Sequence, residues 1–442
     1  MHRIKLIASG IEMAMQYKLI RLGDFCEKIG SGATPRGGKD VYFPSGIALI
    51  RSQNVYNDGF KKEGLAFIDE KQAKDLENVT VKPDDILLNI TGDSVARVCQ
   101  VKNDVLPARV NQHVAIIRPK SDELDPRYLR YYLVNESMQQ YLLALASAGA
   151  TRNALTKGMI ESLELSIPPL PLQHYIAHIL GTLDDKIEIN RQTNETLEAM
   201  ARTIFKSWFI DFDPVRAKAK GRQPEGMDAA TAALFPSGFE EIGGREIPKG
   251  WGTGSLSDII DLIGGGTPQT SVEEYWNGDI PWFSVVDTPQ KGDIFVIDTE
   301  KHITQSGVEH SSTNILPVGT TIITARGTVG NLALVGTPMA MNQSCYGVRG
   351  KAGYSDYFIH FQLRRAIADL QQQTHGTVFE TITRQTFDGV KIVISPDEIA
   401  QKFDQIVRGD LEKIRKNLLE SRTLATLRDE MLPKLMSGEI PV

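Results

Sequence analysis

The longest regular pattern in the chain is an apolar stripe with strict four-three spacing over residues 176–208, which no proline interrupts. Steps of four and three are the heptad signature of a helix that packs along a second helix. The proline-rich run IPPLP at 167–171 precedes the stripe, and prolines are well placed at the start of a helix. The pattern therefore predicts a long helix over 169–210. Its seam positions hold Ile176, Leu180, Leu183, Ile187, Asn190, Asn194, Leu197, Ala201, Ile204 and Trp208.

A second, weaker stripe near the end of the chain predicts another long helix over 396–438. Its seam positions hold Phe403, Val407, Asp410, Ile414, Asn417, Ser421, Leu424, Arg428, Met431 and Leu435. Asn190 and Asn417 occupy equivalent positions in the two stripes. A buried seam asparagine lowers stability but fixes the register or partner of a helix pair, whereas an exposed one implies nothing about pairing. The sequence leaves both interpretations open.

The two stripes belong to a larger internal repeat. LGDFCEKIGSGATP at 22–35 is echoed by LSDIIDLIGGGTP at 256–268, IALI at 47–50 by IPWF at 280–283, IT at 90–91 by IT at 323–324, and NQ at 111–112 by NQ at 342–343. Before each stripe, short β-branched and aromatic runs alternate with Gly, Pro and Asn, which is typical of strands with a few helices. The repeat predicts two similar lobes, at 17–168 and 249–395, and a linker at 211–248 that is rich in breakers.

The order of the repeated parts favours an antiparallel arrangement of the two long helices. If they were parallel, the linker and the second lobe would have to return along the whole first helix, about 55–60 Å at 1.5 Å per residue. Antiparallel helices let the second lobe attach locally. The predicted fold class is α+β: two similar α/β lobes separated by two long antiparallel coiled-coil helices, related by a pseudo-twofold axis.

Composition fits a soluble globular protein and does not single out a nucleic-acid binder. The 442 residues are 41% hydrophobic and 24% charged. The net charge of −6 is opposite in sign to that of a strongly basic DNA-binding domain. Segment 1–170 has 22 basic and 20 acidic residues, or +2, and segment 251–396 has 9 and 14, or −5. Any contact with DNA must therefore come from a few local side chains.

Cysteine usage and hydropathy favour a cytoplasmic location. Cys26, Cys99 and Cys345 are too few and too far apart for a disulfide framework, which favours a reducing compartment. The sequence lacks a signal peptide pattern, and no stretch approaches 18 apolar residues.

The motifs of the common catalytic sites are missing from the sequence. It contains neither a GxxxxGK[ST] phosphate loop nor an HExxH zinc motif. His174 and His178 have a ligand-like i, i+4 spacing, but no third ligand accompanies them. We therefore predict no catalytic residue, no metal site and no cofactor bound by this chain.

Four further motifs, in this order within a duplicated lobe-helix plan, resemble the specificity subunits of Type I restriction-modification enzymes. They are LIRSQNV at 49–55, IPPLPLQ at 167–173, FIDFDPV at 209–215 and LPKLMSGE at 432–439. The resemblance implies that each lobe is a target recognition domain for one half of a split, asymmetric double-stranded DNA sequence. It implies that the helices set the spacer and dock two modification (methyltransferase) subunits.

The resemblance also implies where the chemistry of such a complex resides. S-adenosylmethionine is expected on the modification subunits, which methylate adenine N6. ATP and Mg²⁺ are expected on the partner subunits, with translocation and cleavage carried by the restriction (motor-nuclease) subunits. The chain itself would be a non-catalytic part of a site-specific deoxyribonuclease and adenine-N6 methyltransferase complex.

Polar and basic residues on loops that bound the strands are the candidate DNA contacts, because Arg, Asn, Gln and Asp side chains can pair with base edges. In the first lobe these are Ser31, Thr34, Arg36, Lys39, Arg51, Gln53, Asn54, Thr91, Asp93, Ser94, Arg97, Arg109, Asn111, Gln112, Thr151 and Arg152. In the second lobe they are Thr267, Gln269, Ser284, Asp287, Arg326, Thr328, Asn342, Gln343, His375 and Thr377. Residues that read different half-sites should differ between the lobes. This points to Arg36, Lys39, Gln53, Gln269 and Asp287, whereas the two Asn-Gln pairs match and could be structural turns.

Two other functions stay open at the level of sequence. One is a two-lobed scaffold that bridges proteins without DNA specificity. The other is a self-sufficient DNA methyltransferase or nuclease with a degenerate site.

Overall fold

The computed structural model describes residues 17–37, 41–148, 153–289, 293–373 and 381–440. The chain divides into two compact units. The first unit comprises Met1–Asp185 and Leu424–Val442, and the second comprises Lys186–Thr423. Each unit contains one lobe together with part of both long helices.

The first lobe consists of short strands with four short helices in its described part. The strands are β1 (Lys18–Arg21), β2 (Cys26–Ser31), β3 (Ile47–Ile50), β4 (Val55–Tyr56), β5 (Gly59–Phe60), β6 (Ala66–Ile68), β7 (Thr80–Val81), β8 (Ile86–Asn89), β9 (Val98–Gln100), β10 (Ala108–Val110), β11 (Val114–Pro119) and β12 (Glu164–Ile167). The helices are α1 (Glu70–Asp75), α2 (Pro126–Val134), α3 (Glu136–Ser147) and α4 (Lys157–Glu161), and the long helix α5 (Leu170–Phe209) follows the lobe.

A four-stranded sheet in the order β2-β11-β8-β9 lies between two hydrophobic cores of the first unit. Side chains alternate across a strand, so Ile86 and Leu88 of β8 enter one core and Leu87 enters the other. Because both faces are covered, these strands are continuous apolar runs rather than alternating ones. A second sheet, β6-β3-β10-β7, packs against one of the two cores.

The second unit repeats this architecture with its own elements. Its strands are β13 (Phe239–Ile242), β14 (Arg245–Pro248), β15 (Gly252–Ser255), β16 (Ile260–Gly264), β17 (Trp276–Phe283), β18 (Phe295–Val296), β19 (His302–Ile303), β20 (Thr321–Thr324), β21 (Leu332–Val335), β22 (Ala340–Met341), β23 (Cys345–Gly350) and β24 (Lys391–Ile394). Its helices are α6 (Asp213–Ala219), α7 (Ala229–Ala233), α8 (Gln305–Glu309), α9 (Asp356–Gln373) and α10 (Arg384–Gly389), and the long helix α11 (Asp397–Ser437) follows.

Strand pairing shows that the two lobes share one plan. The only parallel pair of each small sheet is equivalent in the described residues: Ile50 pairs with Val110 in β3 and β10, and Phe283 pairs with Met341 in β17 and β22. The larger sheet of the second lobe has the order β16-β23-β20-β21-β18, with β18 as an additional strand. Each lobe is closed by an antiparallel pair of its first and last strands, β1 with β12 and β15 with β24.

The structural equivalence around the repeated IT dipeptides differs by two residues from the match in sequence. The amide of Ile90 donates to the carbonyl of His113 (3.0 Å), and the amide of Ala325 donates to that of Ser344 (2.8 Å). Ile90 is therefore equivalent to Ala325, and the threonine after it is equivalent to Arg326. The segment from Phe283 to Ala325 in the second lobe is two residues longer than the equivalent segment from Ile50 to Ile90 in the first. The identical dipeptides are therefore not structurally equivalent.

The long helices α5 and α11 are continuous over 40 and 41 residues. In the second unit, the side-chain Nδ2 of Asn190 donates to Ser421 Oγ (3.2 Å), and the side-chain Nδ2 of Asn417 donates to Asn194 Oδ1 (2.8 Å). Positions later in α5 thus meet positions earlier in α11. The two helices are antiparallel there.

The predicted seam forms the inner face of both helices. Its buried members are Ile176, Leu180, Asn190, Asn194, Ala201, Trp208, Phe403, Val407, Ile414, Asn417 and Leu435. Its half-buried members are Leu183, Ile187, Leu197, Ile204, Asp410, Ser421, Leu424, Arg428 and Met431.

The seam asparagines are buried rather than exposed. Asn190 and Asn194 are each 2% exposed and Asn417 is 1% exposed. Besides Ser421, Asn190 Nδ2 reaches Glu420 Oε2 (2.9 Å), and Lys186 Nζ reaches Asn190 Oδ1 (3.0 Å). Because each buried amide needs a partner on the facing helix, this polar layer stabilises one register of α5 against α11.

The segment predicted as a linker, 211–248, is folded in the structure. It forms α6, α7 and the antiparallel hairpin β13–β14. Phe212, Val215, Phe235 and Ile247 are buried in the same core as Trp208 of α5. Burial of this apolar surface makes the segment a part of the second unit.

We predict that Asn417→Leu lowers the free energy of unfolding by about 1–3 kcal/mol, because it leaves the buried Asn194 carbonyl oxygen without a donor. The double substitution Asn194→Leu with Asn417→Leu should recover most of that loss, since both partners are then apolar. Urea titration of the chain measures both values. The exposed neighbour Lys416→Leu is the control, with an expected change within about 0.5 kcal/mol. An unchanged stability of Asn417→Leu would contradict the role of the polar layer.

Candidate DNA interface

In the first lobe, a Thr-Pro loop after β2 is joined to an Asn-Gln turn before β11. Thr34 Oγ1 donates to Gln112 Oε1. The turn is itself held in place, since the Asn111 amide donates to the Ile50 carbonyl (2.9 Å) and Asn111 Oδ1 accepts from the amide of His113 (3.1 Å). Three separate loops of the lobe thus meet at one point.

The second lobe builds the same junction from equivalent residues. Thr267 Oγ1 donates to Gln343 Oε1. The Asn342 amide donates to the Phe283 carbonyl (2.9 Å), and Asn342 Oδ1 accepts from the amide of Ser344 (3.0 Å). We call this shared arrangement of loop, turn and strand end the loop frame. It includes both Asn-Gln pairs, which supports their interpretation as structural turns.

A second part of the loop frame is a short turn after β3 and after β17. Asn54 Oδ1 accepts from the amide of Arg51 (3.1 Å), and Asp287 Oδ2 accepts from the amide of Ser284 (2.8 Å). Asn54 is fully buried, and the second oxygen of Asp287 accepts from the Glu300 amide (2.7 Å). Asn54 and Asp287 are therefore equivalent capping residues, and their assignment as base contacts stays a prediction.

Two further candidates of the first lobe also face inward. Arg109 is 9% exposed, and its guanidinium donates to the carbonyls of Ala73 (3.0 Å) and Ala108 (3.1 Å). Asn111 is 7% exposed and caps its own turn. Their polar groups are used by the fold, and their assignment as base contacts stays a prediction.

The remaining described candidates of the first lobe lie on its surface. Ser31, Arg36, Gln53, Asp93 and Gln112 are exposed, and Thr34, Arg51, Thr91, Ser94 and Arg97 are half-buried. Gln53 and Arg51 both donate to the Gly64 carbonyl (3.0 and 2.5 Å). Arg97 lies over the ring of Tyr56, 4.6 Å from its centroid.

The sequence analysis missed His113 and Tyr56 in this region. His113 Nδ1 lies 2.6 Å from Thr91 Oγ1, and its Nε2 lies 3.1 Å from Gln112 Nε2. A row of hydrogen bonds therefore runs from Thr91 through His113 and Gln112 to Thr34. The position of His113 directly after the Asn-Gln turn could have identified it. The apolar residues that follow it in the sequence instead indicate the start of a strand.

The described candidates of the second lobe are likewise accessible. Gln269, Arg326, Thr328 and Gln343 are exposed, and Thr267, Ser284 and Asn342 are half-buried. Five predicted residues lie outside the described residues: Lys39, Thr151, Arg152, His375 and Thr377.

The thiols and the possible metal ligands are the reactive side chains considered in the described part of the chain. Burial raises the pKa of Cys26, Cys99 and Cys345 to about 12 each, so the three thiols stay protonated at neutral pH. No group of three or more His, Cys, Asp or Glu side chains is arranged to hold a metal ion among the described residues. Among the described helices, none is long and apolar enough to cross a membrane.

Comparison with known proteins assigns the family. Residues 15–199 and 248–421 each match the Type I restriction modification DNA specificity domain. The chain therefore belongs to this family and is a specificity subunit of the Type I restriction-modification class, with two DNA specificity domains.

Individual relatives cover nearly the whole chain. The Type I restriction enzyme HindI specificity subunit of Haemophilus influenzae is 29% identical over 438 residues, which cover 89% of this chain and 94% of that protein. The MjaIX specificity subunit of Methanocaldococcus jannaschii is 27% identical over 437 residues, covering 94% and 91%. The S subunit of a Type I restriction-modification system from M. genitalium shares the fold, with a TM-score of 0.59 at 15% identity over 95% of this chain and 96% of that one.

The loop frame predicts opposite outcomes for neighbouring glycines. A Cβ on Gly32 would lie 2.0 Å from the Val110 carbonyl oxygen, and one on Gly265 would lie 2.0 Å from that of Asn342. We expect Gly32→Ala and Gly265→Ala each to lower the free energy of unfolding by about 1–3 kcal/mol, because backbone must move.

Gly30→Ala and Gly264→Ala are matched controls, because a Cβ at either position meets nothing within 4 Å. Thermal or urea unfolding of the four variants provides the comparison. Equal stability of a variant and its control in either lobe would argue against the close loop contact.

Proposed function

We propose that each lobe reads one half of a split, asymmetric DNA target through side chains at the tips of its loops. The tips are the exposed or half-buried positions on the loops around the loop frame. The observation that carries this proposal is that the two frames are built by the same contacts, whereas the accessible residues at equivalent tips differ. The equivalent pairs are Arg36 and Gln269, Gln53 and Val286, and Thr91 and Arg326.

The chemistry of these pairs suits two different base sequences. Arginine can form two hydrogen bonds with guanine, glutamine can do the same with adenine, and an apolar side chain can contact the thymine methyl group. Val286 is 74% exposed, so its side chain is accessible for such a contact. A common frame with different tips therefore supports recognition of two unrelated half-sites by one chain.

The helices are proposed to set the spacer between the half-sites and to dock two modification subunits. In the second unit, Ile189 and Met200 of α5 are 57% and 50% exposed, and Ile406 and Leu419 of α11 are 40% and 36% exposed. These exposed apolar side chains are available to a docking subunit. The buried polar layer keeps the pair in one register, as a spacer of fixed length requires.

The chemistry of the complex is proposed to reside in its other subunits. Modification subunits would supply S-adenosylmethionine and methylate adenine N6, and restriction subunits would supply cleavage, with ATP and Mg²⁺ bound by partner subunits. The contribution of this chain is the choice of the site. A complex in the cytoplasm with double-stranded DNA as its substrate is consistent with that role.

The proposal is tested by selection of DNA from a random duplex library by the chain in complex with its modification subunits. We expect a split sequence, and we expect Arg326→Ala to weaken base preference in one half only, by about 1–3 kcal/mol at the affected position. Arg97→Ala should act on the other half. Arg365→Ala is the control, because that arginine pairs with Asp369 within α9. A library without enrichment, or an effect of Arg326→Ala on both halves, would contradict independent reading by the lobes.

A second expectation concerns the strength of DNA binding. Because the chain carries a net charge of −6, we expect the isolated chain to bind DNA far more weakly than its complex with two modification subunits. The slope of log affinity against log salt should also be steeper for the complex, since its partners provide most phosphate contacts. Fluorescence anisotropy with one labelled duplex measures both. Equal affinity and slope for the chain and the complex would refute this division of contacts.

A further inference from the structure

Asp184 of α5 is a point where three parts of the first unit converge. Its Oδ2 accepts from Arg130 Nη1 (2.9 Å) and from the Tyr131 hydroxyl (2.6 Å), both on α2 of the lobe. Its Oδ1 accepts from Arg428 Nη1 of α11 (2.7 Å). A single carboxylate therefore joins the lobe to both long helices.

The three charged side chains of this junction are largely withdrawn from solvent. The exposed fractions of the side chains are 21% for Asp184, 8% for Arg130 and 14% for Arg428. Burial raises the pKa of Asp184. Arg130, Tyr131 and Arg428 together lower this pKa by more than burial raises it, so the net pKa lies below its ordinary value. The carboxylate is ionised at neutral pH and holds two guanidinium groups that would otherwise repel each other.

The junction continues from Arg130 toward a candidate DNA contact. Arg130 Nη2 donates to the Asn57 carbonyl (2.7 Å), at the turn between β4 and β5. Asn57 Oδ1 accepts from the amide of Val98 (2.8 Å). The residues beside these two, Tyr56 and Arg97, form a cation-ring contact, and Arg97 is one of the candidate DNA contacts.

The second unit attaches its lobe differently. The Tyr357 hydroxyl donates to Glu412 of α11 (2.7 Å), and Arg364 donates to Glu198 of α5 (2.6 Å). Among the described residues of that unit, the hydrogen bonds recorded from α9 to the two long helices use separate carboxylates. The convergence at Asp184 is thus a feature of the first unit.

We propose that Asp184 is a positioning residue that fixes the Tyr56–Arg97 surface of the first lobe relative to the helix pair. On this view, the residue determines how strictly the assembled complex discriminates between spacer lengths, and it does so without contacting DNA. The inference rests on the proposed function, because it assumes a split target with a defined spacer.

The test uses the complex with modification subunits and the split sequence that the wild-type complex selects. Affinities are measured for three duplexes, with the selected spacer and with spacers one base pair shorter and longer. We expect Asp184→Asn to reduce the ratio of affinities for the selected spacer over the altered ones by about two- to thirtyfold. Base preference within each half-site should stay as in the wild type.

Asp185→Asn is the matched control, because it removes the same charge from the next residue. Asp185 pairs with Arg127 of α2, but its side chain is 61% exposed, and no contact with α11 is recorded for it among the described residues. We expect its spacer ratio to equal that of the wild type.

Each outcome has a distinct meaning. Failure of the wild-type complex to select any split sequence would overturn the proposed function itself. With a selected sequence in hand, an unchanged ratio for Asp184→Asn, or an equal loss of affinity for all three duplexes, would overturn the positioning role. If Asp184→Asn does not fold, the same ratio of affinities is measured for Arg428→Gln. This variant removes the guanidinium of α11 from Asp184, whereas Arg130 and Tyr131 keep their hydrogen bonds to it.

Discussion

The packing of α5 against α11 is the constraint on which the rest of the structure depends, because a long helix cannot bury its apolar stripe alone. In the first unit, Ile176 and Leu435 belong to the core of the lobe. In the second unit, Trp208 and Phe403 do the same. Each lobe therefore includes the helices in its core, and the position of its loop frame follows from the helix pair.

The loop frame separates structural duties from recognition. Glycine is required where Gly32 and Gly265 touch carbonyl oxygens, and the threonine-glutamine pair holds the loop beside the turn. The residues proposed as tips differ between the two lobes while these contacts are kept. The proposed reading of two half-sites by one architecture rests on that difference.

Much of the fold could be predicted because it follows from local pattern. The heptad spacing predicted both long helices, and the repeat predicted both lobes. The folding of 211–248 was not foreseen, because glycine and proline breakers separate Phe212 from Phe235 in sequence and hide a shared core. The candidate site was predicted as a region, whereas residues such as Arg109 were assigned to DNA although the fold uses their hydrogen-bonding groups.

Periodicity, duplication and chain order were sufficient to predict two lobes and two antiparallel helices, and four motifs within that plan carried the resemblance to the family. Only the folded chain decided which polar side chains face inward. Arg109, Asn417 and Asp184 are polar residues of ordinary appearance in the sequence, yet each is committed to a partner far away along the chain. The reason is that a buried polar group must be paired, and its partners are defined by distances in space that no local pattern records.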